Sequence, residues 1–259
     1  MMKLKCLSHL LLALTLAAGS AGVSAGAYDD LIAAVNRDDT ETVLDFISRG
    51  MDVNTVDLTG NTLLHVAARN GNVKLLEGLL KNKANPNARN HVGDSPMMLA
   101  AFNGKLEGIN VLLAAGAKIN HAGWAPLHYA VFAEQAEMVE HLLSKGAKVD
   151  ARAPNEQTAL MLAAKNGNSV IARMLLKAKA DANLLDQHGE SALTLARKGN
   201  NTDLAKLLEQ GAIASEPAAA KPAATKAVPP EAPAVPAAKP EESGEYVSPP
   251  FQSAPTSVQ

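Results

Sequence analysis

The sequence predicts an all-α fold, a solenoid of about six stacked helix-turn-helix repeats. Three observations predict it. A short segment recurs at a nearly constant spacing, a residue typical of helix N-caps starts most copies, and apolar residues at helical spacing follow each copy. The repeats occupy residues 28–212 of the 259-residue chain, and we expect a signal peptide at 1–27 and a disordered tail at 213–259.

The first 27 residues have the order of a secretory signal peptide. Two lysines precede an apolar run at residues 10–18, and small residues follow it. The run is about half as long as the roughly 20 apolar residues of a membrane-spanning helix, so we expect cleavage after Ala25 or Ala27 rather than an anchor. Cys6 is the only cysteine and lies in this segment, so we expect the mature chain to have no disulfide and no thiolate metal site.

The recurring segment begins with Thr-Leu-Leu-His-Val-Ala-Ala at Thr62 and returns at spacings of 33, 30, 33 and 33 residues. A degraded first copy is expected 33 residues before Thr62, at Asp29. Six copies at this period indicate a stack in which each repeat contacts only its neighbours. The later copies start at Ser95, Ala125, Thr158 and Ser191.

Each copy is predicted to form two helices. Hydroxyl residues cap the first helix, and Pro96 and Pro126 stand where a first helical turn tolerates proline. The second helix is predicted to stop at a glycine in the left-handed conformation. Lysines replace that glycine in two copies, at Lys83 and Lys179, at an expected cost of about 1 kcal/mol each. The expected stop glycines are Gly50, Gly116, Gly146 and Gly211.

The segment from residue 213 to 259 is dominated by Ala, Pro, Lys and Glu and holds ten of the fourteen prolines. Such a segment buries too little apolar area to offset its ordering entropy, so we expect an extended, disordered spacer. Residues 246–251, Tyr-Val-Ser-Pro-Pro-Phe, are either a short docking motif or part of a plain tail.

This pattern resembles the ankyrin-repeat family. The matching features are the Thr-Leu-Leu-His-like segment, the Ala pair, Asn-Gly-Asn at 70–72 and 166–168, and Gly-Ala-x-x-Asn at 116–120. The resemblance implies paired antiparallel helices with projecting β-hairpin fingers. It also implies that the chain binds another protein through its finger tips and the exposed face of each first helix.

The sequence offers no recognisable catalytic constellation: it contains no nucleophile elbow, zinc-protease helix, phosphate loop or dinucleotide fingerprint. We therefore expect no enzyme activity and no cofactor. His65 and His128 occupy the family's own histidine position, so a structural role is expected for them. The finger histidines His91, His121 and His188 lack carboxylates or thiols at ligand spacing, so we expect no metal site.

The residue seven positions after each start is expected to face the concave binding surface. Arg69, Phe102, Phe132 and Lys165 occupy this position in four consecutive copies. Two aromatic residues flanked by cations at a position expected to be wet are typical of an interface hot spot.

The fourth copy breaks the pattern, because its finger is three residues short and Ala125 replaces the hydroxyl cap. Glu134 also replaces a glycine found in other copies. Trp124 shares its column with polar residues, so we expect it to be exposed and to contribute to the site, whereas Tyr129 shares its column with Val and Leu and is expected in the core.

We therefore expect an exported scaffold or adaptor that binds another protein or peptide as a monomer, most simply in the periplasm of a Gram-negative bacterium, or secreted otherwise. Removal of Lys3 and Lys5 would take the formal charge from −2 to −4, which gives no reason to expect nucleic acid as a partner. The alternative is an inhibitor or immunity protein that blocks one secreted enzyme. The sequence does not identify the partner.

Overall fold

The computed structural model describes the backbone of residues 24–214 and the side chains of residues 26–209. Residues 215–259 of the predicted tail and residues 1–23 of the predicted signal peptide lie outside the described residues, and both expected cleavage points fall within the first helix. The described residues form six pairs of helices, numbered here as repeats 1 to 6. The pairs are α1 (Ser24–Asn36) and α2 (Thr40–Ser48), α3 (Leu63–Asn70) and α4 (Val73–Lys81), α5 (Pro96–Phe102) and α6 (Leu106–Ala114), α7 (Pro126–Phe132) and α8 (Ala136–Ser144), α9 (Ala159–Asn166) and α10 (Ser169–Lys177), and α11 (Ala192–Lys198) and α12 (Thr202–Ala214).

The predicted N-caps of the first helices are confirmed. In each of four repeats, the hydroxyl oxygen of the cap residue accepts a hydrogen bond from the backbone N–H three residues later. Ala125 has no such oxygen; instead its own N–H donates to Nδ1 of His128 at 3.1 Å. The four hydroxyl caps are Thr62, Ser95, Thr158 and Ser191.

The ends of the second helices follow the prediction in five repeats out of six. Gly50, Gly116 and Gly146 have φ values of 98°, 83° and 90°, and the two replacing lysines, Lys83 and Lys179, have 67° and 65°. Left-handed backbone strains a residue with a Cβ atom, so both lysines carry the expected cost of about 1 kcal/mol.

Two predicted boundaries are wrong. The helix α12 continues past Gly211 to Ala214, because no seventh repeat among the described residues turns the chain and its alanine-rich continuation favours helix. The helix α1 begins at Ser24 rather than after Asp29, which lies within the helix.

The core is a continuous layer between the two rows of helices. Each first helix packs against the first helices of neighbouring repeats and against its own second helix. Leu31, Leu64, Leu76 and Leu127 are among the fully buried side chains. The second helices α2 and α4 pack closely at Gly78, where an added Cβ atom would lie 2.8 Å from Cδ1 of Leu44.

The loop that precedes the first helix of each repeat is called a finger here. In finger 2 the N–H of Asp57 donates to the carbonyl of Asn61 at 2.9 Å, and the N–H of Gly60 donates back to the carbonyl of Asp57 at 3.0 Å. The same pair of bonds recurs in fingers 3, 5 and 6. The fingers therefore have hairpin turns, but in residues 24–214 only Val56 and Thr62 form a β-bridge.

Neighbouring fingers are joined at their bases by a ladder of side chains. Oδ1 of Asn87 accepts from the N–H of Lys118 at 2.8 Å, and Oδ1 of Asn120 accepts from the N–H of Lys148 at 2.8 Å. Asn54 and Asp150 accept in the same way from the next repeat. The base of the finger layer is thus linked from finger 2 through finger 6.

The finger tips are joined only in pairs. The N–H of His91 donates to the carbonyl of Thr59 at 3.2 Å, which links fingers 2 and 3, and the N–H of Gln187 donates to the carbonyl of Asn155 at 3.2 Å, which links fingers 5 and 6. Finger 4 is three residues shorter and makes no such bond at its tip among the described hydrogen bonds. Repeat 4 therefore interrupts the row of tips.

Candidate protein-binding site

The predicted site residues Phe102 and Phe132 lie together on neighbouring first helices. Their ring centroids are 6.4 Å apart and the ring planes differ by 29°, which is a stacked arrangement. Phe102 is half-buried, whereas Phe132 remains 46% exposed. Each phenylalanine is the last residue of its helix, so the pair forms an apolar patch at the ends of α5 and α7.

Arg69 and Lys165 are exposed at the equivalent positions one repeat to either side of the phenylalanine pair. We call the residues Arg69, Phe102, Phe132 and Lys165 the exposed column. Among the described residues, neither of these two cations forms an ion pair. The exposed column therefore offers one uncompensated positive charge, an apolar patch and a second uncompensated positive charge, in that order.

The five helices α3, α5, α7, α9 and α11 contain no aspartate or glutamate. Their charged side chains are all cations, and those at the far end are neutralised: Arg197 pairs with Glu209 at 2.6 Å, and Lys198 pairs with Glu190. The second helices carry both signs of charge, with acidic residues in α2, α4, α6, α8 and α12. The formal charges on these five helices are thus all positive, whereas α1 carries Asp29 and Asp30 and the exposed Glu134 follows α7.

Trp124 does not have the exposed position that its column predicted. Its ring is half-buried and packs against the core, 5.5 Å from the ring of His128 and 5.8 Å from that of Tyr129. The polar residues that share its column are also half-buried, or buried at Asp94, so a polar column does not indicate an exposed position here. The structure gives Trp124 a role in packing finger 4 onto α7, and its role in binding stays a prediction.

Two side-chain nitrogens in finger 4 are buried without a hydrogen-bond partner among the described protein atoms. They are Nε1 of Trp124 and Nε2 of His121. Burial, together with the nearby charge of Arg89, lowers the pKa of His121 below the usual histidine value. The neutral ring and the unpartnered indole N–H make finger 4 the least well satisfied part of the finger layer.

Tyr129 lies in the core, as predicted, with 6% of its surface exposed. Its hydroxyl donates to Oδ1 of Asp94, a carboxylate that is itself 8% exposed. The backbone carbonyl of Asp94 also pairs with Nε2 of His65 at 3.0 Å. Asp94 therefore connects repeats 2, 3 and 4 through one residue.

The two histidines at the family position have the structural role expected for them. Nδ1 of His65 accepts from the N–H of Thr62 at 3.1 Å, and Nδ1 of His128 accepts from the N–H of Ala125 at 3.1 Å. Nε2 must then carry the proton that reaches the carbonyl of the next repeat. Burial lowers the pKa of both rings, so both are neutral near pH 7.

The exposed apolar side chains on fingers 2 and 3 were missed by the sequence argument. Leu58 is 93% exposed and lies two residues before the turn glycine Gly60, and Val92 is 60% exposed and lies directly before the turn glycine Gly93. The signal that could have found them is an apolar residue at the tip of a turn, where the turn itself does not need one. Such exposed apolar surface favours contact with another molecule.

The finger histidines do not converge. His91 and His188 are exposed on different fingers, and His121 is half-buried in finger 4. Over residues 24–214, no three His, Cys, Asp or Glu side chains are grouped as metal ligands require. The same described residues contain no helix long and apolar enough to cross a membrane.

Comparison with known proteins agrees with the repeat architecture. A family model of ankyrin repeats, which represents three copies, matches residues 31–122, 79–153 and 127–216. These overlapping matches together cover the described helices from Leu31 onward.

Three similar proteins illustrate how narrow the likeness is. Neurogenic locus notch homolog protein 1 of Xenopus laevis is 30% identical over 167 residues, which is 64% of this chain and 6% of that protein. The protein of the same name from Homo sapiens is 29% identical over 172 residues, covering 66% of this chain and 6% of its own length. Glycerophosphocholine phosphodiesterase gde1 of Schizosaccharomyces pombe is 38% identical over 78 residues, or 30% of this chain and 7% of that enzyme. The chain spans less than a tenth of the length of each relative.

Proposed function

Because this chain belongs to the ankyrin-repeat family, we propose that it is an exported protein-binding scaffold whose partner docks on the exposed column. The family is typically a non-catalytic protein-interaction scaffold, so binding of another protein is the coarse function. The finer assignment combines the predicted signal peptide with the chemistry of the column. We place the protein in the periplasm of a Gram-negative bacterium.

The stacked pair of Phe102 and Phe132 carries the proposal. A 46% exposed phenylalanine beside a half-buried one leaves apolar surface in water, and burial of such surface contributes about 25 cal/mol per Å². Phe102 packs against the edge of the core, whereas Met97, Met98 and Leu127 are fully buried within it on the same helices, so the remaining exposed surface of the pair faces water. Aromatic anchors flanked by arginine or lysine are the usual composition of an interface hot spot.

The proposal is tested by affinity capture from envelope extract with the processed full-length chain. The test variant is the double substitution Phe102→Ser and Phe132→Ser, and the matched control is Val170→Ser, a 59% exposed apolar residue on the second helix α10. We expect a protein that the wild type and the Val170→Ser variant retain and that the folded double variant loses. Circular dichroism of all three proteins establishes that they are folded.

The same experiment separates the scaffold from the rival inhibitor. A captured enzyme that loses its activity in 1:1 stoichiometry, with a nanomolar dissociation constant or tighter, would identify an inhibitor or immunity protein instead. A partner retained equally by the double variant would place the interface elsewhere, with Leu58 and Val92 on fingers 2 and 3 as the next surface to mutate. Capture of no protein by any variant would contradict the scaffold proposal.

A further inference from the structure

The exposed column also specifies the chemistry of the segment that it binds, an inference that rests on the proposed docking of a partner there. We infer that this segment is acidic at both ends and apolar in its middle, and that it binds in an extended polyproline II conformation. Three features of the column carry the inference: the order of its side chains, the absence of carboxylates from its helices and the spacing of those helices.

The order of the side chains sets the order of the partner's residues. Arg69 and Lys165 stand at the two ends of the column without an ion pair in the described part of the chain, and Phe102 and Phe132 stack at 6.4 Å between them. A complementary segment therefore places a carboxylate opposite each cation and apolar side chains over the rings. Charge complementarity of this kind favours an acidic partner and speeds its association.

The absence of carboxylates makes the preference selective. The helices that carry the column have no aspartate or glutamate, so an acidic segment meets no like charge from them, whereas a basic segment would face uncompensated cations. Two unpaired cations three repeats apart are too few and too widely spaced to follow a nucleic-acid backbone, which carries a phosphate every few ångströms. A protein segment fits this arrangement better than a polyanion does.

The spacing of the helices sets the conformation and the register. Packed helices lie about 8–10 Å apart, and a polyproline II helix advances about 9.3 Å per turn of three residues. Every third side chain of such a segment therefore meets the next repeat. The sequence that fits is acidic-x-x-apolar-x-x-apolar-x-x-acidic, a motif of about ten residues that reads the same in both directions.

The probe is a fluorescein-labelled ten-residue peptide, Glu-Pro-Pro-Leu-Pro-Pro-Leu-Pro-Pro-Glu, titrated with the processed full-length chain and followed by fluorescence anisotropy. We expect saturable binding below about 1 mM at low salt, weakened in 0.5 M NaCl as the charges are screened. Arg69→Gln and Lys165→Gln are each expected to weaken binding about two- to fivefold, the range of an exposed ion pair. Phe132→Ser is expected to weaken it about tenfold or more.

The controls test charge, register and surface separately. Lys177→Gln removes a cation from the second helix α10 and should leave the affinity unchanged. Peptides with lysine at both ends, or with both leucines moved by one position, should bind at least five times more weakly than the probe. Equal binding of either altered peptide, no saturable binding of the probe, or tighter binding of a ten-nucleotide single strand through Arg69 and Lys165 would overturn the inference.

The experiments distinguish failure of the acidic motif from failure of the proposed scaffold function. A captured partner that needs Phe102 and Phe132, but whose bound segment keeps its affinity when its acidic residues are neutralised, would refute the acidic motif and leave the scaffold intact. A partner whose binding ignores the phenylalanines would refute both.

Discussion

Removing one hydroxyl group, in Tyr129→Phe, is expected to destabilise the protein more than any other conservative substitution of its aromatic residues. The hydroxyl donates to Oδ1 of Asp94, and the two residues are only 6% and 8% exposed. A buried hydrogen bond to a charged group contributes about 1.5–3 kcal/mol, and its loss leaves a carboxylate oxygen desolvated. For a domain of this size, that loss corresponds to a fall in Tm of about 3–12 °C.

Urea unfolding measures this loss directly. Trp124 is the only tryptophan and its ring lies 5.8 Å from that of Tyr129, so its fluorescence reports on repeat 4, while circular dichroism reports on all helices. The matched control is Tyr28→Phe, because the hydroxyl of Tyr28 also donates a hydrogen bond, to the carbonyl of Val56 at 2.7 Å, but in an exposed setting. We expect the control to lose about 0.5–1 kcal/mol at most.

A double-mutant cycle with Asp94→Asn isolates the pair. A coupling free energy of about 1 kcal/mol or more between positions 94 and 129 is expected for groups in direct contact. If Tyr129→Phe costs no more than Tyr28→Phe, or if the coupling is close to zero, the hydrogen bond does not stabilise the junction of repeats 3 and 4 and the reasoning fails.

Three further substitutions have expected outcomes that urea unfolding can check. Lys83→Gly should raise the free energy of unfolding by about 1 kcal/mol, because it relieves a φ of 67°. Asp150→Asn should raise it by about 0.5 kcal/mol at pH 7, because burial raises the pKa of the Asp150 carboxyl. The gain should disappear below pH 3.8, where folded and unfolded chains are both protonated. His65→Met should flatten the pH dependence of the free energy of unfolding. Methionine is the residue that repeat 3 has at the equivalent position, Met98. Burial lowers the pKa of His65, so the wild type loses stability as the pH falls below 6.5 and the unfolded chain takes up the proton first.

A control with the opposite expected effect accompanies Lys83→Gly. Lys81→Gly, in the last turn of α4, should destabilise by up to about 1 kcal/mol, opposite in sign to Lys83→Gly. A stabilising Lys81→Gly, a gain for Asp150→Asn that persists at pH 3, or an unchanged pH profile for His65→Met would each contradict the corresponding physical argument.

The repeat framework could be predicted because residues within each repeat determine where its helices begin and end. Thr62 and Thr158 cap helices through local hydrogen bonds, and Gly116 reverses the chain through its own backbone freedom, so none of them depends on distant contacts. Gly211 has the same identity as Gly116 but no next repeat beyond it among the described residues, and α12 continues. A glycine permits a helix to stop, and the packing of the following repeat makes it stop.

The site could be predicted where the residues at one repeat position share an environment. The position seven residues past each start brings Phe102 and Phe132 together as the spacing implied, with Phe132 exposed and Phe102 half-buried. The prediction failed at Trp124, because the polar residues of its column are not exposed: they are half-buried, or buried at Asp94. Asn61, for example, accepts a hydrogen bond from the next finger, so polarity at this position reflects bonding between fingers and not exposure to water.

The interrupted row of finger tips gives the array an uneven mechanical response. A backbone hydrogen bond joins the tips of fingers 2 and 3, and another joins the tips of fingers 5 and 6. Finger 4, between these two pairs, is joined to its neighbours by the basal ladder and by helix contacts, such as the one from Nε2 of His128 to the carbonyl of Ala151 at 3.0 Å. In a linear array each repeat is held by its nearest neighbours alone, so the weakest junction sets where a load is taken up. Under a stretching force, we therefore expect the row of finger tips to open at finger 4 before it opens within either joined pair.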